Sequence, residues 1–531
     1  MTKSKWKVDL NGYAGDIIFV LLFVLFAAFY YDSFLTKGPF TNHAWRQTDC
    51  LSLTYNYMEG ANFFSPEVHN QLGDDLTSGK TAGEFPILYY TVGQLWKITG
   101  ESYFVYRFVY LIILFTGLFA LFKALKLLLK DWFLATFIPL LLFTSPVFVI
   151  YGVSFLTDIP AFCFVLIAGY FLTAYYFKKS SKYFWLAMLF FSLAGLIKVS
   201  SLIGFVFIFG IFILENLSLK SLKSSFLFKR SKTEWLGFMS AILAVFAWYY
   251  YTSRYNHEHD FKYTFNKIYP LWLIDKNEFN QLTSDIKNFT SYYFFNRSIL
   301  YSLFVIGIFN LFQWKKLPLL GYLSTIAIFI GCSLYFIFWA PLMGVHDYYY
   351  GALLILFVGI ILPFIWLLKQ YYASICKSNV FIILASIFLA YNFIYTFGLV
   401  KISTLSQETA LIKVGAPNFY DKVQYINYSN ERGRRYEEIR PFLKALGVNK
   451  EDRVISIPDD SFNISLYLMH QKGWTSYAGG DQPEIIERLI KKGAKYMIIS
   501  ESATLKKENL QPFLTNEIGE FQGIHIFKLI P

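Results

Sequence analysis

Cysteine is scarce. The 531 residues hold four, Cys50, Cys163, Cys332 and Cys376, too far apart for metal-ligand spacing, which excludes a disulfide framework and a cysteine metal centre. Charge is scarce as well. Asp, Glu, Lys and Arg make up 16% of the chain against 55% hydrophobic and 21% aromatic residues, a balance outside that of soluble globular domains. No small-residue cleavage site follows the apolar run Ile17 to Tyr31, although Lys3, Lys5 and Lys7 precede it. The run therefore reads as a retained span and not as a removed signal peptide. Internal repeats and low-complexity segments are missing too, which excludes repeat architectures.

What is present is membrane. Apolar runs able to cross about 30 Å of hydrocarbon lie near 15–35, 104–129, 132–152, 159–177, 183–197, 200–215, 235–252, 298–313, 318–340, 350–368 and 379–400, about eleven spans. Lys198 divides 183–215, and charge decides for two short spans there. With two, Lys123, Lys126, Lys130, Lys178, Lys179, Lys182, the stretch Lys220 to Lys232, Lys315, Lys316, Lys369 and Lys377 all share the side of the N-terminal lysines. That is the positive-inside pattern. It also accounts for the net charge of +12, so no nucleic-acid partner is expected.

The expected fold is a polytopic α-helical membrane module over 1–400, with a first extracytoplasmic loop over 36–103, followed by a small α/β extracytoplasmic domain over 401–531. In the tail, Glu437–Leu446 and Gln482–Lys492 read as helices and Arg453–Ile457, Tyr496–Ile499 and Ile524–Leu529 as strands. Sequons such as Asn288-Phe289-Thr290 matter only in a glycosylating secretory pathway. A composition rich in lysine, asparagine, phenylalanine and tyrosine is consistent with an AT-rich bacterial genome. The expected location is a bacterial inner membrane, N-terminus cytoplasmic and tail outside.

The polar first loop holds His43-Ala44-Trp45-Arg46-Gln47-Thr48-Asp49 and Gly83-Glu84-Phe85-Pro86. Thr48 or Asp49 could cap a helix over Cys50–Tyr55; alternatively, Asp49 is a carboxylate able to act as general base. Glu84 precedes Pro86 and the run Ile87–Trp96, too short to span and suited to the membrane interface. Lys198, at an apolar turn on the outer face, needs an anionic partner, either a lipid phosphate or a carboxylate such as Asp158. Asp158 or Thr157 could cap the helix that begins near Pro160. His346, Asp347, Tyr348 and Tyr349 stand at the outer end of a span, where tyrosines alone suit an aromatic belt. Arg46, His43, Arg254, His257, His259 and Arg297 add groups able to bind phosphate, most of them reading as solvated loop residues.

Together these stretches resemble the GT-C lipid-dependent glycosyltransferases, the superfamily of the aminoarabinose transferase acting on lipid A and the protein O-mannosyltransferases. The resemblance rests on Trp45-Arg46-Gln47-Thr48-Asp49, Gly83-Glu84-Phe85-Pro86, Thr157-Asp158-Ile159-Pro160, Gly195-Leu196-Ile197-Lys198 and His346-Asp347-Tyr348-Tyr349. It covers about 10–400. It implies a sugar donor on polyprenyl phosphate, transfer at the outer face with inversion, and a glycan, lipid or protein acceptor of the cell envelope, as in lipopolysaccharide biosynthesis. By residue, it implies catalytic roles for Asp49 and Glu84, donor-phosphate binding by Arg46 and Lys198, and substrate contact by Asp158, His346, Asp347, Tyr348 and Tyr349. No metal-binding residues are assigned, and the need for a divalent cation stays open.

Two other classes fit parts of the chain. A flippase or transporter for a polyprenyl-linked lipid should show matching broken helices in two halves, and only the pair at 183–215 is visible. A sensor with the tail as ligand domain leaves the long first loop without a task.

Overall fold

Segments rich in Leu, Ile, Phe and Val satisfy their backbone internally as helices, the one way a single segment crosses hydrocarbon. The structure, a computed structural model, describes residues 10–39, 43–73, 75–217, 227–228, 232–260, 263–264, 268–287, 291–405, 430–479 and 481–529. The sequon at Asn288 lies outside these residues. Every expected apolar segment is helical. Among the described residues, eight helices are long and apolar enough to cross a membrane, or nine if one bent pair is a single span. The protein is thus a multi-pass integral membrane protein with fewer full spans than the eleven expected.

The first ten helices are α1 (Leu10–Tyr31), α2 (Ala44–Met58), α3 (Ile87–Thr99), α4 (Tyr103–Leu129), α5 (Trp132–Leu142), α6 (Pro146–Gly152), α7 (Asp158–Lys178), α8 (Ser181–Ile197), α9 (Ile203–Asn216) and α10 (Lys232–Glu258). Expected as one span, α5 and α6 are bent by 75°. Pro146 supplies no N–H to continue the α5 ladder; at the break the Thr144 carbonyl accepts from Thr396 Oγ1 (2.5 Å), and the Ser145 hydroxyl donates to the Phe294 carbonyl (2.5 Å). Helices α8 and Arg297–Phe312 have 17 and 16 residues, about 25 Å of helix at 1.5 Å per residue, which is short of the hydrocarbon thickness. The bundle core is dense in aromatics, with Phe23 stacked on Phe143 (5.2 Å between centroids) and Phe148 edge-on to Phe162 (6.1 Å).

The first loop is a packed layer. Helix α2 is mostly buried although half its buried residues are polar. It crosses α3 at Gly93, where a Cβ would lie 2.8 Å from the Thr54 carbonyl, so only glycine permits the approach. Tyr89 and Trp96 of α3 are buried against this layer. They are core residues and not the headgroup contacts expected of an interfacial helix.

One seven-stranded sheet follows the order β2-β1-β4-β3-β5-β7-β6. Its strands are β1 (Glu67–Leu72), β2 (Ser78–Lys80), β3 (Arg453–Ile457), β4 (Lys472–Thr475), β5 (Ala494–Ile499), β6 (Glu517–Phe521) and β7 (Ile524–Lys528). Strands β4, β3 and β5 are parallel, with Ile455 opposite Trp474 and Met497. Strand β1, from the first loop, joins β4 in parallel at Gln71 and Gly473. Both faces are covered, as parallel sheets require. Ile455, Trp474 and Met497 pack under helix Pro483–Lys491, and Val454 and Ile498 face a core shared with Leu51 of α2 and Trp96 of α3.

Candidate functional site

Helix α2 starts at Ala44 with His43 as its N-cap residue. Asp49 therefore lies in the second turn and caps nothing; the Thr48 hydroxyl donates back to the Trp45 carbonyl (2.8 Å). Arg46, Asp49 and Ser52 recur every third residue, which places them on one face. Asp49 is 7% exposed. Its Oδ1 accepts from Asn463 Nδ2 (3.3 Å), and the Ser52 hydroxyl donates to Asn463 Oδ1 (2.8 Å). Burial pushes the Asp49 carboxyl up, and Arg46 and Asn463 only partly oppose it, leaving it at about 8.

Glu84 is brought in by backbone ties. The Phe85 N–H donates to the Leu196 carbonyl (2.9 Å), two residues before Lys198, and Trp248 Nε1 donates to the Gly83 carbonyl (3.0 Å). Gly195 lets α8 reach this junction, since a Cβ there would sit 2.7 Å from Leu202 and 2.8 Å from Val245. Glu84 pairs with Arg46 and lies 4.0 Å from Lys198 Nζ, which is 3.0 Å from Asp158. Burial alone would raise the Glu84 carboxyl, but the two cations hold it down at about 2. The two acids beside Arg46 are thus driven in opposite directions. Asp158 pairs with Lys198, as one of the two expectations had it, and Thr157 Oγ1 makes no capping bond.

Asp347 does not pair with its neighbour His346. It accepts from Tyr151 OH (2.5 Å) and lies 2.8 Å from His43 Nε2, tying the start of α2 to the helical bundle through α6. Burial holds the His346 imidazole down at about 4, and its Nδ1 has no hydrogen-bond partner among the described residues. Tyr349 places its ring 5.5 Å from Lys198 Nζ, and Tyr348 stacks on Tyr349 (4.9 Å).

No protein-family model and no curated protein matches the sequence. Solved structures do. ArnT from Cupriavidus metallidurans, in the apo state, is similar over 98% of each chain with a TM-score of 0.59 at 11% identity. The same protein bound to undecaprenyl phosphate is similar with a TM-score of 0.58 at 12% identity. The archaeal oligosaccharyltransferase AglB from Archaeoglobus fulgidus, in complex with an inhibitory peptide and a dolichol-phosphate, is similar over 93% of this chain and 70% of its own, with a TM-score of 0.52 at 14% identity. The chain has an ArnT-like fold.

The ArnT-like fold gathers Arg46, Asp49, Glu84, Asp158, Lys198 and Tyr349 into one cluster and sets His43, His346, Asp347 and Tyr348 beside it. Other cations stay apart. Arg254 and His257 are exposed, and Arg297 donates to the Tyr292 hydroxyl (2.7 Å). Sequence reasoning missed Asn463 and Asp459. The available signal was position, because Asp459-Asp460-Ser461-Phe462-Asn463 follows β3, and loops at the carboxyl ends of parallel strands carry functional groups. Among the described residues, three potential metal ligands approach one another only at Glu517, Glu520 and His525. That group sits on the edge hairpin β6–β7, at the far side of the sheet from β1.

Proposed function

We propose that the protein is an inverting membrane glycosyltransferase. It moves a sugar from a polyprenyl-phosphate carrier to a hydroxyl of an extracytoplasmic glycan, lipid or protein. One observation carries this reading: Asp49 and Glu84 meet at Arg46 in one buried cluster with Lys198 and Asp158, where burial drives the Asp49 carboxyl up and Arg46 and Lys198 hold the Glu84 carboxyl down. Pairs of titratable groups driven apart by their surroundings divide acid–base work between them. Asp49 is the base for the acceptor hydroxyl. Glu84, permanently charged, holds Arg46 and Lys198 in place.

In the transfer, the acceptor oxygen attacks the anomeric carbon from the face opposite the phosphate and loses its proton to Asp49. The bond from that carbon to the phosphate oxygen breaks, and the electron pair leaves with the lipid phosphate. Arg46 and Lys198 are donors aimed at the charge that grows there. Asp158 sets the position of Lys198, and Tyr348, Tyr349, His346 and Asp347 line the same side. An apolar cavity of about 400 Å³ begins at Val199, the residue after Lys198, with Phe191, Phe205, Val206, Phe246 and Tyr249 among its walls, and suits an isoprenoid chain. ArnT has been solved bound to undecaprenyl phosphate, a carrier of this class. The sheet-bearing end then faces outward, and the ends carrying Lys123, Lys126 and Lys369 face the cytoplasm.

Membranes containing the protein, supplied with radiolabelled polyprenyl-phosphate sugars one at a time and a lysate bearing acceptors, are expected to move label off the carrier. If correctly inserted protein leaves every donor intact, the transferase reading fails. A pH dependence follows from Asp49. Its base form is the minority below about 8, so kcat/KM, which reports free-enzyme groups, rises about tenfold per pH unit toward that value and levels above it. A rate series over that range measures it.

A further inference from the structure

We propose that Asn463, carried by the C-terminal domain, is a positioning residue for Asp49, so that the docked domain completes the reaction centre. The base role of Asp49 is taken from the reading above; the contact itself does not depend on it.

Three layers of contact support the assignment. The first is the amide. Asn463 is fully buried, donates from Nδ2 to Asp49 Oδ1 (3.3 Å) and accepts the Ser52 hydroxyl at Oδ1 (2.8 Å). Turning the amide over would set its carbonyl oxygen against the Asp49 carboxylate, so ionised Asp49 selects the orientation in which Nδ2 faces it. Asp49 and Ser52 lie one turn apart on α2, and a single side chain from 400 residues downstream bridges them.

The second layer holds the loop. Asp459, buried, accepts the N–H groups of Ser461 (3.0 Å) and Ser465 (2.8 Å) and both their hydroxyls (2.6 Å each). Thr475 Oγ1 donates to the Ser461 carbonyl (2.6 Å), and the Asn463 N–H donates to Ser461 Oγ (3.2 Å). A carboxylate taking four bonds fixes the loop that presents Asn463. The third layer fixes the domain. Asn70 Nδ2 donates to the Gln471 carbonyl (3.0 Å), and β1 pairs with β4 beside it.

The groups that face Asp49 come from several elements: Arg46 and Cys50 on α2, Glu84 ahead of α3, and Asp459, Asn463 and Tyr477 from the C-terminal domain. Arg46 and Asn463 favour the carboxylate; Asp459 and Glu84 oppose it. A donor to the ionised form lowers the pH at which a carboxyl gives up its proton. Removing Asn463 therefore moves Asp49 upward.

The test compares the full-length protein with Asn463→Ala and Ser52→Ala in two measurements. In the first, the rising limb of kcat/KM against pH moves to higher pH in Asn463→Ala, with about tenfold less transfer at neutral pH per pH unit moved, regained in alkali, and donor KM unchanged. The second needs no turnover: the infrared carboxyl band of Asp49, assigned by its loss in Asp49→Asn, titrates at higher pH in Asn463→Ala. Ser52→Ala, which leaves Asn463 in place but frees its amide to turn, shows a smaller shift of the same sign and serves if Asn463→Ala fails to fold. A band that moves in protein with no transfer activity would refute the transferase reading and uphold the contact. A band that stays put, with activity falling equally at all pH values alongside the thermal midpoint, would overturn the inference.

Discussion

Asp49→Asn is expected to lose transfer by about 10²–10⁴-fold, the range a positioned general base supplies, while folding and inserting like the parent. Asparagine keeps the shape and still accepts from Asn463 through its amide oxygen. What it loses is the ability to take a proton. Stability separates this from damage. The folded Asp49 carboxyl holds its proton up to about 8, whereas an unfolded aspartate releases it near its ordinary value of about 3.9. Between those values the folded state binds more protons, so the contribution of Asp49 to stability falls as pH rises. Asp49→Asn removes that fall and makes the protein relatively more stable in alkali. Thermal midpoints taken well below and above about 8, beside transfer rates, check both halves. Normal turnover in the variant would remove Asp49 from the mechanism.

Lys198→Met is expected to lose both activity and stability, for separable reasons. Lys198 lies between Asp158 at 3.0 Å and Glu84 at 4.0 Å. Deleting one partner of a buried ion pair leaves charge uncompensated, which costs about 3–5 kcal/mol. On the proposed role of Lys198 toward the leaving phosphate, losing that donor costs about 10²–10³-fold in rate. Adding Asp158→Asn to Lys198→Met neutralises the principal orphan and restores much of the thermal midpoint. It does not restore transfer, since no cation has returned. Recovery of activity in the double variant would show that Lys198 acts only as a structural counter-ion.

The helical part of the fold was legible because each span announces itself as a continuous apolar run. Lys198 stood out as a charge in an apolar turn, where polarity is expensive, whereas Arg46, Asp49 and Glu84 lay in a polar loop and were singled out by the motifs that carry the resemblance. Other features were hidden for physical reasons. Helix α2 buries Gln47, Thr48, Ser52 and Thr54, so it has no apolar stripe to distinguish a core helix from a solvated loop. Strands β1 and β2 are short, and β1 makes its parallel contact with a segment some 400 residues away. No local pattern carries that pairing. The strands of the tail expected at Arg453–Ile457, Tyr496–Ile499 and Ile524–Leu529 match β3, β5 and β7 within two residues, because each is a short stretch carrying two isoleucines beside other strand-forming residues. Asn463 escaped notice as one asparagine in a polar loop; only docking gives it a partner.

The shared sheet has a consequence for biogenesis. Strand β1 and helix α2 leave the ribosome some 400 residues ahead of β4 and Asn463. Contacts of such sequence separation form late and slowly, and domains made in order from the N-terminus fold as they emerge. While those residues are made, the polar face of α2 waits without its amide and β1 without β4. The nascent chain is therefore inserted and helical long before its centre is complete, and a product truncated ahead of the Asp459–Asn463 loop would occupy the membrane without Asn463 against Asp49.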